Sequence, residues 1–323
     1  MFYSKIKAVG SYVPQNTVSN EDMSKVVDTN DEWISSRTGI KNRHFSTGEN
    51  TSDLAAKAAE KILERAGVKA EDIELIVVAS VSPDYGTPST ACLVQKKIGA
   101  VNAVSFDIGA ACSGFIFALS TADKFIKTGV YKNALVLGAE VLSKCLDFTD
   151  RGTCVLFGDG SGGAFLEQSD KPSILAEEMG TDGNRAMALT LGLKEVVNIS
   201  CKGERDTHQY IEMDGRAIFD FATRTVPKTV KNVLAKAELT TEDIDYVVPH
   251  QANARIIEIV SRKLKVPMDK FYLNMNEYAN TSSASIPIAL DEMWEEGLLK
   301  EGTTVAMAGF GAGLTWGSMI VRF

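Results

Sequence analysis

The stretch FDIGAACSGFIF, Phe106–Phe117, decides how this chain is read. Phe106 to Ile108 closes an apolar, strand-like run, and Gly109, Ala110 and Ala111 are small. Cys112 stands at the break, and no glycine or proline interrupts Phe115 to Ile126, so a continuous helix can follow. Strand, small-residue turn and helix form the repeating unit of an α/β fold. At a helix start the unpaired backbone N–H groups and the helix dipole favour an anion, which would draw a thiol toward thiolate. Cys112 is therefore either a small packing residue at a tight turn or a nucleophile presented to a ligand.

Further strands and helices alternate around this unit. Ile73–Ala79 and Ala134–Gly138 read as buried strands. Thr51–Ala66 reads as a helix, with Leu54, Ala58, Ile62 and Leu63 at helical spacing and Thr51 as its cap. The chain also repeats itself. LERAGVKAEDIELIV, from Leu63, lines up with LAKAELTTEDIDYVV, from Leu234: a helix end, a Glu-Asp-Ile turn, then a strand. A later small-residue break carries Cys112 in the first half and Asn280 in the second. Two related α/β halves, 1–170 and 171–323, would place equivalent strand ends on facing sides of one cleft. No linker rich in proline, glycine or serine separates them.

Composition narrows the function. The 323 residues are 45% hydrophobic and 24% charged, as in a folded soluble protein, and the net charge of -8 argues against wholesale binding to nucleic acid or an anionic membrane. No apolar run approaches the roughly 20 residues of a membrane span, and the expected location is the cytoplasm. The five cysteines, Cys92, Cys112, Cys145, Cys154 and Cys201, form no Cys-x-x-Cys pair, so no metal site is expected and most should be buried thiols.

Two more residues can carry chemistry. His250 follows the strand-like Tyr246–Pro249, where it is a core or capping histidine or a functional one. Asn280 precedes Thr-Ser-Ser-Ala-Ser, where a helix cap is the competing reading. The glycine run Gly158–Gly163 formally fits a dinucleotide fingerprint, but a strand-like run follows where a helix is needed, so a hairpin turn is expected. Gly309-Phe310-Gly311 leads into another strand and reads as room for close backbone approach to a ligand.

Taken together, the motifs resemble those of the thiolase-like condensing enzymes, and among them the β-ketoacyl-acyl-carrier-protein synthase III family. The resemblance runs from end to end. It rests on Asp31–Ile34, Arg37–Ile40, Ala110–Phe115, Arg151–Thr153 with Phe157–Gly160, His250–Asn253, and Gly309–Gly311 with Thr315–Ser318. It implies a five-layered α-β-α-β-α fold and an acyltransferase that starts fatty-acid synthesis. Cys112 would take an acyl group from acyl-CoA, and malonyl-acyl carrier protein would then lose carbon dioxide to form an enolate that attacks it. His250 and Asn280 would donate hydrogen bonds to the enolate oxygen, and the backbone N–H groups of Cys112 and Ala312 would form a second oxyanion hole. Better-known members carry a third glycine where this chain has Ala312.

The resemblance also implies binding roles. Trp33 and Arg151 would sandwich the CoA adenine, and Arg37 would meet its phosphates. Arg255, Arg262 and Lys263 would dock the acidic carrier protein, with Arg255 foremost. Thr87 and Phe157 would shape the primer pocket. Thr87 stands where a ring is common, in a loop that crosses to a second copy of a homodimer, which would leave room for a primer longer or more branched than acetyl. No cofactor is implied, acyl-CoA being a substrate. A thiolase would need a cysteine after Cys201, and an elongating synthase a histidine at position 280. Two rivals remain: a related acyltransferase of a secondary pathway, and a non-catalytic acyl-CoA-binding protein.

Overall fold

The computed structural model describes residues 2–193, 195–201 and 209–323; His208 lies outside the described residues. Its apolar runs become the middle strands of two sheets. The first contains β1 (Tyr3–Tyr12), β2 (Leu75–Ala79), β3 (Val104–Ile108), β4 (Asn133–Glu140) and β5 (Gly160–Ser169), in the spatial order β1-β5-β4-β2-β3. β2 runs parallel to β3 and β4, while β5 is antiparallel to β1 and β4. The second contains β6 (Ile174–Thr181), β7 (Tyr246–Pro249), β8 (Thr304–Gly311) and β9 (Thr315–Arg322), in the order β7-β8-β9-β6. A single bridge from Val247 to Phe271 takes the place beside β7 that β3 holds beside β2. Both sheets therefore wind the same way: first strand on last, last on fourth, fourth on second.

The principal helices are α1 (Asp31–Thr38), α2 (Thr51–Ala66), α3 (Thr90–Ile98), α4 (Gly114–Lys127), α5 (Gly215–Lys236), α6 (Ala254–Leu264) and α7 (Ser285–Glu295). α2 and α3 cover the outer face of the first sheet, α4 and α7 lie between the sheets, and α5 and α6 cover the outer face of the second. This is the five-layered arrangement that the resemblance implies. The middle strand β2 is apolar and buried throughout because both of its faces are covered. On β2, Leu75, Val77 and Ala79 pack toward the central helices, while Ile76 and Val78 pack toward α2 and α3. Among the described residues no helix is long and apolar enough to cross a membrane.

Three expectations are corrected. The cap of α2 is Asn50, which forms a capping box with Asp53; the Thr51 hydroxyl instead donates to the Ser82 carbonyl. Gly160–Gly163 form no hairpin turn but the start of β5. A Cβ on Gly160 would lie 2.9 Å from Ile288 Cδ1 and one on Gly162 3.0 Å from Ile288 N, so these glycines let α7 rest on the strand. Nor are most cysteines buried: Cys112 and Cys154 are, Cys145 is partly covered, and Cys92 and Cys201 are exposed. Cys92 sits in the first turn of α3, whose apolar contacts come from Ala91 and Val94.

Candidate active site

The carboxyl ends of the middle strands meet over one cleft. After β3 the chain turns through Ala111, whose φ of 46° is unusual for a residue with a Cβ, makes a 3₁₀ turn over Ala111–Ser113, and starts α4 at Gly114. Cys112 is held within that turn by close backbone packing. A Cβ on Gly311 would lie 2.8 Å from Cys112 N, and one on Gly309 3.1 Å from Ser113 Cα. The glycines of β8 thus admit the turn that carries Cys112, where ligand approach was the expected reason. The Thr315 hydroxyl joins the same elements: it lies 2.7 Å from Ser113 Oγ, 3.0 Å from the Ala110 carbonyl and 2.9 Å from the Ala312 carbonyl.

His250 follows β7 and donates its backbone N–H to the Ala308 carbonyl at 2.7 Å. Its ring meets Phe310 edge to face at 5.2 Å, and its Nδ1 lies 2.7 Å from Ser285 Oγ, in the first turn of α7. Asn280 sits in the matching turn of the second half. Its Oδ1 accepts the Ser282 N–H at 2.8 Å. That bond orients the amide, so Nδ2 is the donor left for the cavity.

Burial sets the charge states. The Cys112 thiol is only 7% exposed, and desolvation, with the Glu140 carboxylate adding to it, pushes its pKa up to about 12. The expected fall toward thiolate is therefore corrected. At a buried site the desolvation penalty on a thiolate outweighs the partial charge at the start of α4. Burial likewise pushes His250 down to about 3, so its imidazole is neutral at physiological pH.

A cavity of about 220 Å³ is lined by Cys112, His250 and Asn280 together, with Phe157, Ile218 and Ile256 among its apolar walls. A second cavity, of about 50 Å³, lies behind Cys112 among Leu142, Leu191 and Ile211, with Phe157 and Leu189 common to both. Ala312 lines this smaller space. Trp33, Arg37 and Arg151 form one cluster near the larger cavity's mouth. The Arg37 guanidinium lies 4.7 Å and that of Arg151 5.2 Å from the indole centroid. Asn253, on the cavity wall, donates to the Arg37 carbonyl.

Arg255, Arg262 and Lys263, the residues expected to meet a carrier protein, are exposed but bonded. Arg255 donates from Nε (3.1 Å) and Nη2 (2.8 Å) to the Ser36 carbonyl, tying α6 to the end of α1. Lys263 donates to the Thr223 carbonyl, and Arg262 points from the same helix. Thr87 is exposed in its loop and lines neither cavity.

One contributor escaped the sequence reading. Glu140, fully buried at the end of β4, accepts from the Val81 N–H, the Ser82 N–H and hydroxyl, and, on its other oxygen, the Ser283 hydroxyl at 2.9 Å. It fastens the turn after Asn280 to the first half. The available signal was a carboxylate ending an otherwise apolar strand. Among the described residues no group of three or more His, Cys, Asp or Glu is placed to hold a metal ion.

The chain is similar to known proteins along essentially its whole length. The family model described as 3-oxoacyl-(acyl-carrier-protein) synthase III matches residues 106–183, and the model of its C-terminal part matches residues 234–323. The β-ketoacyl-(acyl-carrier-protein) synthase III of Clostridium acetobutylicum is 54% identical over 319 residues, covering 99% of this chain and 98% of that relative. The protein of the same name from Lactococcus lactis subsp. cremoris is 52% identical over 329 residues, with both chains fully covered. The crystal structure of 3-oxoacyl-(acyl-carrier-protein) synthase III from Aquifex aeolicus is 44% identical, with a TM-score of 0.93 over 99% of this chain and all of that one.

Proposed function

The chain belongs to the 3-oxoacyl-(acyl-carrier-protein) synthase III family, and from that premise we propose how its own residues carry out the reaction. The enzyme is a condensing acyltransferase that joins an acyl primer to a malonyl unit on acyl carrier protein, with loss of carbon dioxide. The Cys112 thiol attacks the thioester carbonyl of acyl-CoA, and the proton it gives up leaves on the CoA sulfur, because the buried thiol is protonated at rest. Backbone N–H groups of Cys112 and Ala312 hold the oxyanion, with Thr315 keeping their two turns together. Malonyl-acyl carrier protein then loses carbon dioxide, and its enolate oxygen is held by Nε2–H of His250 and Nδ2–H of Asn280. The enolate carbon attacks the acyl-Cys112 carbonyl, the carbon–sulfur bond breaks to release 3-oxoacyl-acyl carrier protein, and the Cys112 thiolate takes a proton from solvent to return to the thiol. The observation that carries this reading is the single cavity shared by Cys112, His250 and Asn280, with the Asn280 oxygen already engaged.

Residues 1–170 and 171–323 are the two halves, the first bringing Cys112 and the second His250 and Asn280. Acyl-CoA enters past Trp33, Arg37 and Arg151 and is consumed as a substrate rather than kept as a cofactor. Arg255, Arg262 and Lys263 meet the carrier protein. The protein works as a cytoplasmic homodimer in which the loop with Thr87 reaches the partner's primer pocket. The 50 Å³ space holds about two water-sized groups, so a primer beyond acetyl needs the room that Thr87 leaves. Mass spectrometry of the intact protein after mixing with a series of acyl-CoAs tests both points. A single adduct on Cys112, absent in Cys112→Ala, is expected, with butyryl- or branched acyl-CoA at least matching acetyl-CoA. An adduct that survives Cys112→Ala would overturn the mechanism, and a clear preference for acetyl would overturn the primer assignment.

A further inference from the structure

Ser285 is two per cent exposed and opens α7, yet caps nothing in its own helix. Among the described residues the one partner of its hydroxyl is His250 Nδ1, at 2.7 Å. A buried hydroxyl proton without an acceptor is costly, so the Ser285 O–H donates to the imidazole. A neutral imidazole carries one proton; if Nδ1 accepts, Nε2 holds it.

We propose that Ser285 is a positioning residue that locks His250 as the Nε2–H tautomer, a hydrogen-bond donor and not a base toward the cavity. This deepens the reading of His250 given above and rests on it. It separates the two half-reactions. His250 held in this form cannot take the Cys112 proton, so acyl transfer from CoA proceeds without help from Ser285. Decarboxylation of the malonyl unit depends on the Nε2–H donor, so it does depend on Ser285.

The chain has only three histidines, which makes nitrogen NMR of ¹⁵N-histidine-labelled protein practicable, with the His250 signals assigned from their loss in His250→Gln. The expected spectrum shows Nε2 protonated and Nδ1 unprotonated, unchanged from pH 8 to pH 5. In Ser285→Ala the tautomers mix. Decarboxylation of malonyl-acyl carrier protein then slows about tenfold, the worth of one hydrogen bond, while single-turnover acylation of Cys112 stays within about twofold. Ser285→Thr, which keeps the hydroxyl, restores decarboxylation. A protonated Nδ1 in the unaltered protein would overturn the proposal even if no variant folds, and so would an equal slowing of both half-reactions or no slowing in Ser285→Ala. If instead His250→Gln leaves decarboxylation intact, it is the role given to His250 that fails.

Discussion

The turn at Cys112 and the turn at Asn280 hold equivalent places in the two halves, and each leads through a 3₁₀ turn into a helix between the sheets. Each also uses left-handed backbone at residues other than glycine: Ala111 in the first, Ala279 and Ser282 in the second. Their side chains differ in kind. Small residues, Gly109, Ala110, Ala111 and Gly114, flank Cys112 and Ser113; a Cβ on Gly114 would lie 2.8 Å from Ala79 Cβ at the end of β2, and one on Gly311 of β8 2.8 Å from Cys112 N. Around Asn280 stand Thr281, Ser282, Ser283 and Ser285, two of whose hydroxyls bond to Glu140 and His250. One turn is shaped by small residues and close backbone packing, and the other is tied in place by hydroxyls. On the proposed reading the second turn suits oxyanion donors, which act by being fixed before the charge appears.

The sharpest test removes the reactive atom. Cys112→Ala should lower condensation by at least about a thousandfold, with no acyl adduct by intact mass, while decarboxylation of malonyl-acyl carrier protein is lost far less. Asn280→Asp comes next. It keeps the oxygen that accepts the Ser282 N–H but replaces the Nδ2 donor with an acceptor. Decarboxylation should fall by roughly 10²–10³, with Cys112 still acylated; loss of both together would mean that the turns are not specialised as described. Gly311→Ala tests the close approach. Its methyl would meet Cys112 N at 2.8 Å, so the nucleophile's turn must shift and acylation should slow by about 10-fold to 100-fold, measured by stopped-flow release of CoA.

The smallest effect concerns stability. His250 is held down to about 3 by burial, against an ordinary value near 6.5. Between those values the unfolded chain binds a proton that the folded one refuses. The contribution of neutral His250 is therefore complete above about pH 6.5 and is lost as pH falls toward 3. Urea midpoints should drop from pH 7.5 to pH 5, and His250→Gln should flatten that drop; an unchanged slope would show that His250 is not the group responsible.

Much of the fold was legible because it is written in short-range patterns. The apolar runs at Leu75–Ala79 and Asn133–Glu140, the spacing in Thr51–Ala66 and the repeated Glu-Asp-Ile turn are properties of residues a few places apart. The glycines of Gly160–Gly163 misled because their reason lies across the molecule, in the helix packed on them. Glu140 was missed for the same reason: its partner Ser283 is 143 residues away. Arg255 looked like a free docking charge, yet it holds the carbonyl of Ser36, 219 residues distant. Arg255→Glu would consequently disturb α1, which carries Trp33 and Arg37, as well as any carrier-protein contact.

The sequence by itself determined the α/β class and the repeated helix–turn–strand unit, since backbone preference and side-chain alternation act locally, and it offered Cys112, His250 and Asn280 as candidates through motifs that resemble a family's. Tertiary structure alone decided the state in which those residues wait. The thiol is protonated because the fold takes it out of water, and the Asn280 amide is oriented by the N–H of its own turn. Desolvation and hydrogen-bond geometry depend on what the whole chain brings around an atom, and no short stretch such as Phe106–Phe117 contains that information.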